Sequence, residues 1–516
     1  MLPPFRNEPL TDFGVPGNRA AFEAALAAVD AEADREWPLV IGGEPVVTGS
    51  WIEPRDPAAP GRRVGRVARA GRAEAERALA AAERCAAEWA AVPPDERARL
   101  LLRAASIMRR RKHELSATMV VEIGKTWPEA DGDTAEAIDF CEYYAREMLR
   151  LDGAQPLTPA DRTASELRYQ PIGVGLAVSP WNFPCAIATG MVTGPLVAGN
   201  PVIFKPSSLT PIVGARLMAV LEEAGLPPGV VSFLPGPGQE VGDFLVAHPR
   251  LRFVSFTGSR EVGVRIYAEA AQVRPGQGWL KRVVAEMGGK DGIVVDDSWA
   301  DLDAAAAGVV PSAFGFSGQK CSACSRLIAV DGIHDDLLER VVERTEALRV
   351  GPPRDPSTDL GPVASRDQFA KITTYVDIGR EEGRLVTGGG ADDSEGWYVE
   401  PTVFAGVDPK ARIAQEEVFG PVLAVIRARD FEHAIEIAND TAYALTGAVY
   451  ARDPVRLVRA RRDFAVGNLY VNRRCTGARV GVEPFGGFKM SGTNAKAGGP
   501  DYLTWFLDAK VISEAL

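Results

Sequence analysis

The chain has 516 residues, 46% of them hydrophobic and 25% charged, with a formal net charge of −11 at neutral pH. Its length predicts two or three domains at roughly 150 residues each, and its acidic balance argues against a nucleic-acid partner, which would need a basic surface. No run approaches the ~18 consecutive apolar residues of a membrane span, and residues 1–10 lack the apolar core of a secretory signal. We therefore expect no membrane association.

The six cysteines are too few and too scattered for a disulfide framework in a chain of this length. We expect free thiols and a cytoplasmic location, where thiols stay reduced. Cys321 and Cys324 form a Cys-x-x-Cys, but no second pair and no nearby histidine accompany them, and the chain has only four histidines. Zinc needs a closed set of such ligands, so we expect no metal site.

The N-terminal part of the chain is predominantly helical in pattern. A short strand is predicted at Leu39–Ile41, before a glycine pair. Apolar residues then recur at helical spacing over Arg72–Ala91 and Asp95–Ile123, and a further helix is predicted over Asp133–Leu151. Stripes of Ala and Leu at this spacing are typical of packing surfaces, so we interpret these helices as scaffold.

After Pro171, short apolar runs such as GVGLAVSP, NPVIFKP and FVSFTGS alternate with helical stretches. Such runs are typical of strands buried on both faces of a parallel sheet, and the alternation predicts a doubly wound sheet that binds ligands at the carboxyl ends of its strands. A second such series, Gly292 to Asn472, predicts a second α/β domain. Leu157–Gln170 and Asp501–Leu516 join neither series, and we expect them to pair as strands at an oligomer edge.

Residues Phe256–Gly263 are predicted to pass from a strand through a Gly258-Ser259 turn into a helix. Free N–H groups at such a helix start suit a pyrophosphate, although junctions of this kind are commonly only turns and caps. Upstream, Gly236, Gly238 and Gly242 have one residue too many between them for the dinucleotide fingerprint. Their spacing alone therefore predicts no phosphate loop.

Three residues are placed where packing alone does not explain them. Cys321 follows Gly318-Gln-Lys, and at a helix start the dipole would lower its thiol pKa; a buried cysteine that caps a helix is the alternative. Glu286 ends an apolar strand before a glycine pair, where a raised pKa would suit a base. Asn182 follows another buried strand end, where its amide would be placed to donate to an oxyanion.

Seven motifs occur in one order along the chain: SPWNFP, FKPS, FTGSREVG, EMGGKD, GQKCS, QEEVFGPV and PFGGFKMSG. Together they resemble the aldehyde dehydrogenase superfamily from about Trp37 to Leu507. The resemblance implies an α/β fold with a Rossmann-like NAD(P)-binding domain (residues 1–156 and 172–287), an α/β catalytic domain (288–494) and a β-flap oligomerisation arm (157–171 and 495–516). It also implies a homo-oligomer based on dimers.

The resemblance assigns the chemistry residue by residue. Cys321 would be the nucleophile that adds to the aldehyde carbon, and the Asn182 side chain with the Cys321 N–H would form the oxyanion hole. Glu286 would activate the water that hydrolyses the resulting thioester. The residues that would hold the cofactor are Trp181, Lys205, Ser208, Gly238, Gly258, Ser259, Gly263, Glu417 and Phe419.

Two positions modify this assignment. Many members that prefer NAD carry a glutamate three residues after the cofactor-binding lysine, where this chain has Ser208. A serine lacks the negative charge that repels a 2′-phosphate, so we expect NAD as the cofactor with NADP also accepted. Cys324 is either a small packing residue or a partner that traps Cys321 as a disulfide under oxidation.

Further segments resemble the branch of the family that oxidises L-glutamate γ-semialdehyde to L-glutamate: Pro4–Pro9, the Lys-Cys-Ser322 sequence, Thr476–Ala478 and Pro484–Gly487. The resemblance implies that Ser322 and the amides of Gly477 and Ala478 anchor the substrate α-carboxylate in an anion nest. An ordinary turn is the alternative for this loop.

The remainder of that substrate would meet other side chains. By the same resemblance, Trp181 and Phe485 would line its methylene chain. Glu129 and Asp131 are our candidates for recognition of its amino group.

Two other hypotheses stay open. A dehydrogenase for another ω-semialdehyde acid, such as succinic semialdehyde, would usually anchor the carboxylate with arginines, and Arg473, Arg474 and Arg479 lie near the same loop. A catalytically silent structural protein of the same fold is the alternative from a different class. The presence of the cysteine, glutamate and asparagine described above argues against it.

Overall fold

The computed structural model describes residues 2–516. Helices dominate the N-terminal part and alternate with strands thereafter. In chain order the α-helices are α1 Pro16–Ala31, α2 Arg72–Ala91, α3 Pro94–Arg110, α4 Lys112–Ile123, α5 Trp127–Asp152, α6 Ala186–Val197, α7 Pro211–Glu223, α8 Asp243–Ala247, α9 Arg260–Ala270, α10 Leu302–Phe314, α11 His334–Glu346, α12 Arg366–Glu382, α13 Arg412–Gln415, α14 Phe431–Asn439 and α15 Pro454–Asp463. Shorter helical turns span Gly238–Gly242, Gly315–Gly318, Asp331–Ile333 and Tyr502–Phe506.

The strands are mostly short. In chain order they are β1 Glu36–Trp37, β2 Leu39–Ile41, β3 Glu44–Val46, β4 Trp51–Ile52, β5 Arg55–Asp56, β6 Ala59–Arg63, β7 Arg66–Ala68, β8 Thr163–Pro171, β9 Gly175–Val178, β10 Val202–Lys205, β11 Val231–Phe233, β12 Phe253–Thr257, β13 Arg282–Glu286, β14 Asp291–Val295, β15 Cys324–Val330, β16 Arg384–Thr387, β17 Ala391–Asp392, β18 Tyr398–Val399, β19 Thr402–Ala405, β20 Val422–Ala428, β21 Tyr443–Ala444, β22 Thr446–Tyr450, β23 Asn468–Val471, β24 Phe488–Lys489 and β25 Leu507–Ala515.

The first large sheet has the order β13-β12-β9-β10-β11-β2-β3. Its first five strands are parallel, and β2 and β3 extend it in antiparallel fashion. Apolar residues of α2, α8 and α9 cover one face, and those of α6 and α7, with the N-terminal helices behind them, cover the other. Burial on both faces explains why these strands are near-continuous apolar runs rather than alternating ones.

The second large sheet has the order β16-β19-β20-β15-β14-β22-β23. All of its strands are parallel except the edge strand β16. Helices α10 and α11 pack on one face, and α12 and α14 pack on the other. The chain is therefore α/β with two doubly wound sheets, as the sequence pattern predicts.

The two segments that join neither large sheet pair with each other. β8 and β25 run antiparallel over their whole length, from Pro171 opposite Leu507 to Thr163 opposite Ala515. Arg282, the first residue of β13, donates to the carbonyl oxygens of Trp505 and Leu507 at 3.1 and 2.8 Å and so ties the base of this pair to the first sheet.

The observed helices differ in two places from those predicted by the spacing of apolar residues. The last N-terminal helix begins at Trp127 rather than Asp133, because a proline at its second position is compatible with a first helical turn. The segment Asp95–Ile123 forms two helices that meet at Arg111, where φ is −103° and ψ is 17°. No helix among residues 2–516 is both long and apolar enough to cross a membrane.

Candidate active site

The candidate residues lie where the two sheets meet. Lys205, Thr257 and Glu286 are the last residues of β10, β12 and β13, so all three stand at the carboxyl edge of the first sheet. Residues 287–290 then carry the chain directly from β13 into β14 of the second sheet. A side chain at this crossing can face both sheets.

Cys321 does not stand at a helix start, so that prediction is wrong. It lies in a turn between the short helical turn Gly315–Gly318 and β15. Gly318 makes this turn possible, because its φ is +68° and a Cβ there would lie 2.2 Å from the carbonyl oxygen of Gly420. The position of Cys321 is thus set by a close approach of two loops rather than by the start of a helix.

The surroundings of Cys321 keep its thiol protonated. Burial first, and then the nearby carboxylates of Asp291, Glu417 and Glu286, raise its pKa far above the ordinary value. The glycine pair 288–289 permits this crowding, since a Cβ on Gly289 would lie 2.2 Å from the carbonyl oxygen of Cys321. The resting thiol therefore needs a proton acceptor before it can act as a nucleophile.

Asn182 is buried and held in one orientation. Its Nδ2 donates to the carbonyl oxygen of Gln319 at 3.1 Å, and the Gln319 side chain in turn accepts from the N–H of Ala364 at 2.8 Å. An amide nitrogen carries two N–H groups, so one is left to donate elsewhere. This geometry brings Asn182 to the turn that carries Cys321.

Glu286 is 8% exposed, and both carboxylate oxygens are buried without a well-aligned hydrogen bond among the described residues. Burial raises its pKa to about 8, while Lys496 and the nearby N–H groups of Gly487 and Ala495 act in the opposite direction. A carboxylate in this state is half-protonated near pH 8 and can exchange protons with a bound water. The pKa of Glu286 is therefore raised, as its position at the end of a buried strand predicts.

Lys205 and the start of α9 have the features that a dinucleotide requires. Lys205 is almost fully buried, which lowers its pKa to about 8, and no hydrogen bond of its ammonium to the described residues is found. Ser259 caps α9 by accepting from the N–H of Val262 at 3.4 Å, as the motif predicts. Gly263 brings this helix close to the sheet, since a Cβ there would lie 2.5 Å from Sδ of Met287. Ser208 and Gly238 are both exposed.

Glu417 and Phe419 stand on a loop across the sheet boundary. Glu417 Oε1 accepts from the N–H of Gly289 at 2.9 Å, which ties this loop to the crossing between the sheets. Phe419 adopts a left-handed φ of 59° and meets Trp181 edge to face, with ring centroids 5.3 Å apart. A non-glycine residue in that conformation persists only where its surroundings require it.

The loop Thr476–Ala478 lies beside Ser322. The Cys475 thiol donates to the carbonyl oxygen of Ser322 at 3.5 Å. Gly477 has a φ of +79°, and the N–H groups of Gly477 and Ala478 donate no hydrogen bond within residues 2–516. Two adjacent free N–H groups are the elements of an anion nest.

The charged residues around this loop separate into paired and unpaired ones. Arg473 and Arg479 both bind Glu483, at 2.9 and 3.1 Å. Arg474 forms no ion pair with any described residue, and its guanidinium packs on Gly477. Phe485 is half-buried, with its N–H bonded to the carbonyl oxygen of Ala497 at 2.9 Å.

The two candidates for amino-group recognition are already engaged. Asp131 binds Lys112 at 2.9 Å and accepts from the Thr11 hydroxyl at 2.6 Å, so its carboxylate is saturated by the N-terminal segment and this prediction is wrong. Glu129 binds Lys320, the residue before Cys321, at 2.7 Å.

Another acidic residue of α5, Glu136, follows Asp131 on the same helix. Its side chain forms no hydrogen bond and no ion pair with the described residues. Burial first and then Asp133 raise its pKa to about 8, whereas Lys125 and Lys320 lower it. Neither Lys320 nor Glu136 is among the site residues predicted from the sequence. For Lys320 its place beside Cys321 was a usable signal, whereas nothing in the helical pattern distinguishes Glu136.

Cys324 is buried within β15, and its thiol donates to the carbonyl oxygen of Arg326 at 3.5 Å. All six cysteines are free thiols. This arrangement favours the packing interpretation of Cys324. No group of histidine, cysteine and acidic side chains within residues 2–516 is arranged to hold a metal ion.

Comparison with known proteins agrees with this geometry. The model of the aldehyde dehydrogenase family matches residues 46–512. The 1-pyrroline-5-carboxylate dehydrogenase of Geobacillus sp. (strain WCH70) is 57% identical over 514 residues, covering 100% of both chains. The structure of 1-pyrroline-5-carboxylate dehydrogenase from Thermus with bound NAD is 54% identical, covers 100% of both chains and superposes with a TM-score of 0.98. Proline utilization A from Bdellovibrio bacteriovorus is 42% identical over 99% of this chain and 53% of its own, with a TM-score of 0.97. The resemblance is thereby confirmed, and the chain belongs to the aldehyde dehydrogenase family.

Proposed function

We propose that the chain oxidises L-glutamate γ-semialdehyde, which forms from 1-pyrroline-5-carboxylate, to L-glutamate with NAD, as a step of proline degradation. The observation that carries the substrate assignment is the pair of free N–H groups at Gly477 and Ala478 beside Ser322. Relatives and solved structures named for this activity support it over the full length of the chain.

In the first half of the reaction the sulfur of Cys321 bonds to the aldehyde carbon, and the carbonyl oxygen becomes an oxyanion. Asn182, oriented by its bond to Gln319, and the N–H of Cys321 are the donors that stabilise this oxyanion. Because nearby carboxylates raise the thiol pKa, the sulfur must lose its proton as it attacks. Solvent water is the acceptor for that proton, since Cys321 is partly exposed, and Glu286 stays ionisable for the second half of the reaction.

The residues present fit a dinucleotide cofactor. Lys205 offers an unpaired ammonium at the end of β10, and Ser259 caps the helix that would face the pyrophosphate. Gly238 leaves open space around it, and Gly258 and Gly263 let the start of this helix pack against Phe256 and Met287. Glu417 and Phe419, with Trp181, would hold the nicotinamide end, and Ser208 would face the adenosine ribose. When bound, the nicotinamide supplies the acceptor for the hydride that leaves the substrate carbon.

The second half of the reaction is hydrolysis of the thioester on Cys321. Glu286 takes one proton from a water whose oxygen bonds to the thioester carbon, and the carbon–sulfur bond then breaks to release the acid. A buried carboxylate without a fixed hydrogen bond is free to accept that proton.

The substrate carboxylate would be anchored by Ser322 and the amides of Gly477 and Ala478, with Trp181 and Phe485 lining the methylene chain. Glu136 is our revised candidate for the amino group, because it is an acidic side chain with no hydrogen bond or ion pair among the described residues, and an approaching ammonium would favour its ionised form. An arginine anchor is disfavoured because Glu483 already neutralises Arg473 and Arg479.

Arg474 is the arginine that could anchor the carboxylate of another ω-semialdehyde acid, since it lacks an ion-pair partner within residues 2–516.

Substitution of Ser322 tests which anchor is used. Hydrogen bonds to a charged group contribute about 1.5–3 kcal/mol each, so Ser322→Ala should lower kcat/KM about ten- to a hundredfold for glutamate γ-semialdehyde. Pentanal, which has no carboxylate, should be unaffected. Equal losses for both aldehydes would make Ser322 a support for Cys321, and a larger loss in Arg474→Gln with succinic semialdehyde would favour the alternative.

We also propose that the protein is a homo-oligomer based on a dimer and works in a reducing cytoplasm. β8 and β25 have unpaired outer edges, and Val511 and Tyr267 are more than half exposed on β25 and α9. An unpaired two-stranded extension with apolar side chains is a suitable surface for a second copy. The six free cysteines suit reducing conditions.

A further inference from the structure

Lys496 is held in one position by neutral oxygen atoms. Its Nζ donates to the carbonyl oxygens of Gly467 and Gly486 at 2.7 and 2.9 Å, and to the side-chain oxygen of Asn468 at 3.1 Å. An ammonium has three N–H groups, so these bonds use all of its donors. None of the three acceptors carries a charge. The positive charge of Lys496 is therefore fixed in place but not neutralised by its hydrogen bonds.

Lys496 and Glu286 interact electrostatically. The charge of Glu286 raises the pKa of Lys496, and the charge of Lys496 lowers the pKa of Glu286. Gly486 lies between the two: its carbonyl oxygen binds the ammonium, and a Cβ on it would lie 3.2 Å from Oε1 of Glu286. A Cβ on Gly492 would lie 3.2 Å from Oε2. One segment, residues 485–497, therefore surrounds both oxygens of the carboxylate and carries the lysine.

Backbone hydrogen bonds tie this segment to the strand that bears Glu286. The N–H of Thr493 donates to the carbonyl oxygen of Ala285, and the N–H of Met287 donates to that of Ser491, both at 2.8 Å. Lys496 itself has a left-handed φ of 54°, which a lysine rarely adopts. Such a conformation persists where the surrounding contacts require it, and here those contacts are the three made by its side chain.

We infer that Lys496 is a positioning residue for hydrolysis of the thioester: it closes the 485–497 segment around Glu286 and holds a positive charge that favours the ionised carboxylate. This inference rests on the proposed function. The carboxylate accepts one proton from water as the water oxygen bonds to the thioester carbon, and the thiolate of Cys321 leaves. Burial alone would keep Glu286 protonated at neutral pH, and the fixed charge offsets that effect.

Other titratable groups near Glu286 do not supply this charge. The groups that interact with it from the packed elements are the Cys321 thiol and the Tyr502 hydroxyl, and burial raises the pKa of both well above the ordinary values. Both are neutral between pH 6 and 9. Lys496 is the cation in this part of the described chain that acts on Glu286.

Lys496→Met removes the charge, and Lys489→Met is the matched control. Lys489 lies in the same segment, has a left-handed φ of 50° and donates to the carbonyl oxygens of Asn439 and Thr441 at 2.6 and 3.1 Å. It is not among the groups that act on Glu286. Lys496→Arg retains the charge. Lys496→Gln lacks the charge but retains a hydrogen-bond donor for Gly486, and it replaces the methionine variant if that variant does not fold. Thermal unfolding of all variants identifies those that fold.

The measurements are the NADH burst by stopped flow and steady-state kcat from pH 6 to 10. In Lys496→Met the midpoint of the rising limb of kcat should move to higher pH by about one unit. The value of kcat at pH 7 should then fall about tenfold. The NADH burst and the plateau of kcat at high pH should remain. Lys496→Arg and Lys489→Met should keep the limb of the unmodified protein.

Three results overturn the inference: an unshifted limb in Lys496→Met and Lys496→Gln, a loss of equal size at every pH, or the same shift in Lys489→Met. The second of these would assign Lys496 a purely structural role. Absence of a burst and of turnover in the unmodified protein would instead refute the proposed function.

Discussion

The pH dependence of turnover tests the role of Glu286 most directly. Burial raises the pKa of this carboxyl to about 8, and a general base acts only in its ionised form. The usable fraction of Glu286 should therefore increase as pH rises through 8. Roughly one-tenth of the side chain is ionised at pH 7 and nine-tenths at pH 9. Where hydrolysis of the thioester limits turnover, kcat should rise about tenfold over that interval.

The assay is steady-state kcat with saturating glutamate γ-semialdehyde and NAD, combined with stopped-flow detection of the NADH burst. Glu286→Gln has nearly the same shape but cannot ionise. It should retain the burst, lose about 10²–10⁴-fold in the following steady state and show no rising limb near pH 8.

Two results would refute this reasoning. A rising limb centred near pH 5 would mean that the carboxylate of Glu286 is hydrated during turnover and not buried as it is here. A limb near pH 8 that persists in Glu286→Gln would assign the titration to a group other than Glu286.

Three further predictions concern the nucleophile, the cofactor and the assembly. Cys321→Ala should abolish turnover, while NAD should still raise the melting temperature of the variant. Measurable activity in Cys321→Ala, or a loss of activity in Cys324→Ala instead, would show that Cys321 is not the nucleophile. Ser208→Glu should lower kcat/KM for NADP selectively through repulsion of the 2′-phosphate, whereas equal losses with NAD would show that residue 208 does not face the ribose. Val511→Asp places a charge on the exposed face of β25 and should reduce the oligomer mass measured by light scattering; an unchanged mass would exclude β25 from the interface.

Local patterns in the sequence predicted much of the architecture. The apolar runs before Lys205, Phe256 and Glu286 are strands because burial on both faces of a parallel sheet demands continuous apolar side chains. The same patterns indicated the pairing of the two strands outside the large sheets. The ordered motifs, rather than any single spacing, identified Cys321, Glu286 and Asn182 as candidates.

Long-range contacts decided what those patterns could not. The position of Cys321 in a turn depends on Gly420, about a hundred residues away along the chain, and the engagement of Asp131 depends on Thr11 near the N-terminus. Sequence periodicity reports only the burial of neighbours three or four residues apart, so it cannot distinguish a saturated carboxylate from an unpaired one on the same helix.

The sequence by itself therefore determined the fold class, the family and the types of reactive groups, because these depend on local composition and on motif order. Only the tertiary structure decided the ionisation of those groups. The raised pKa of Glu286 and the charge of Lys496 beside it arise from segments more than 200 residues apart that fold against each other, and electrostatic interactions depend on distance in space rather than on distance along the chain.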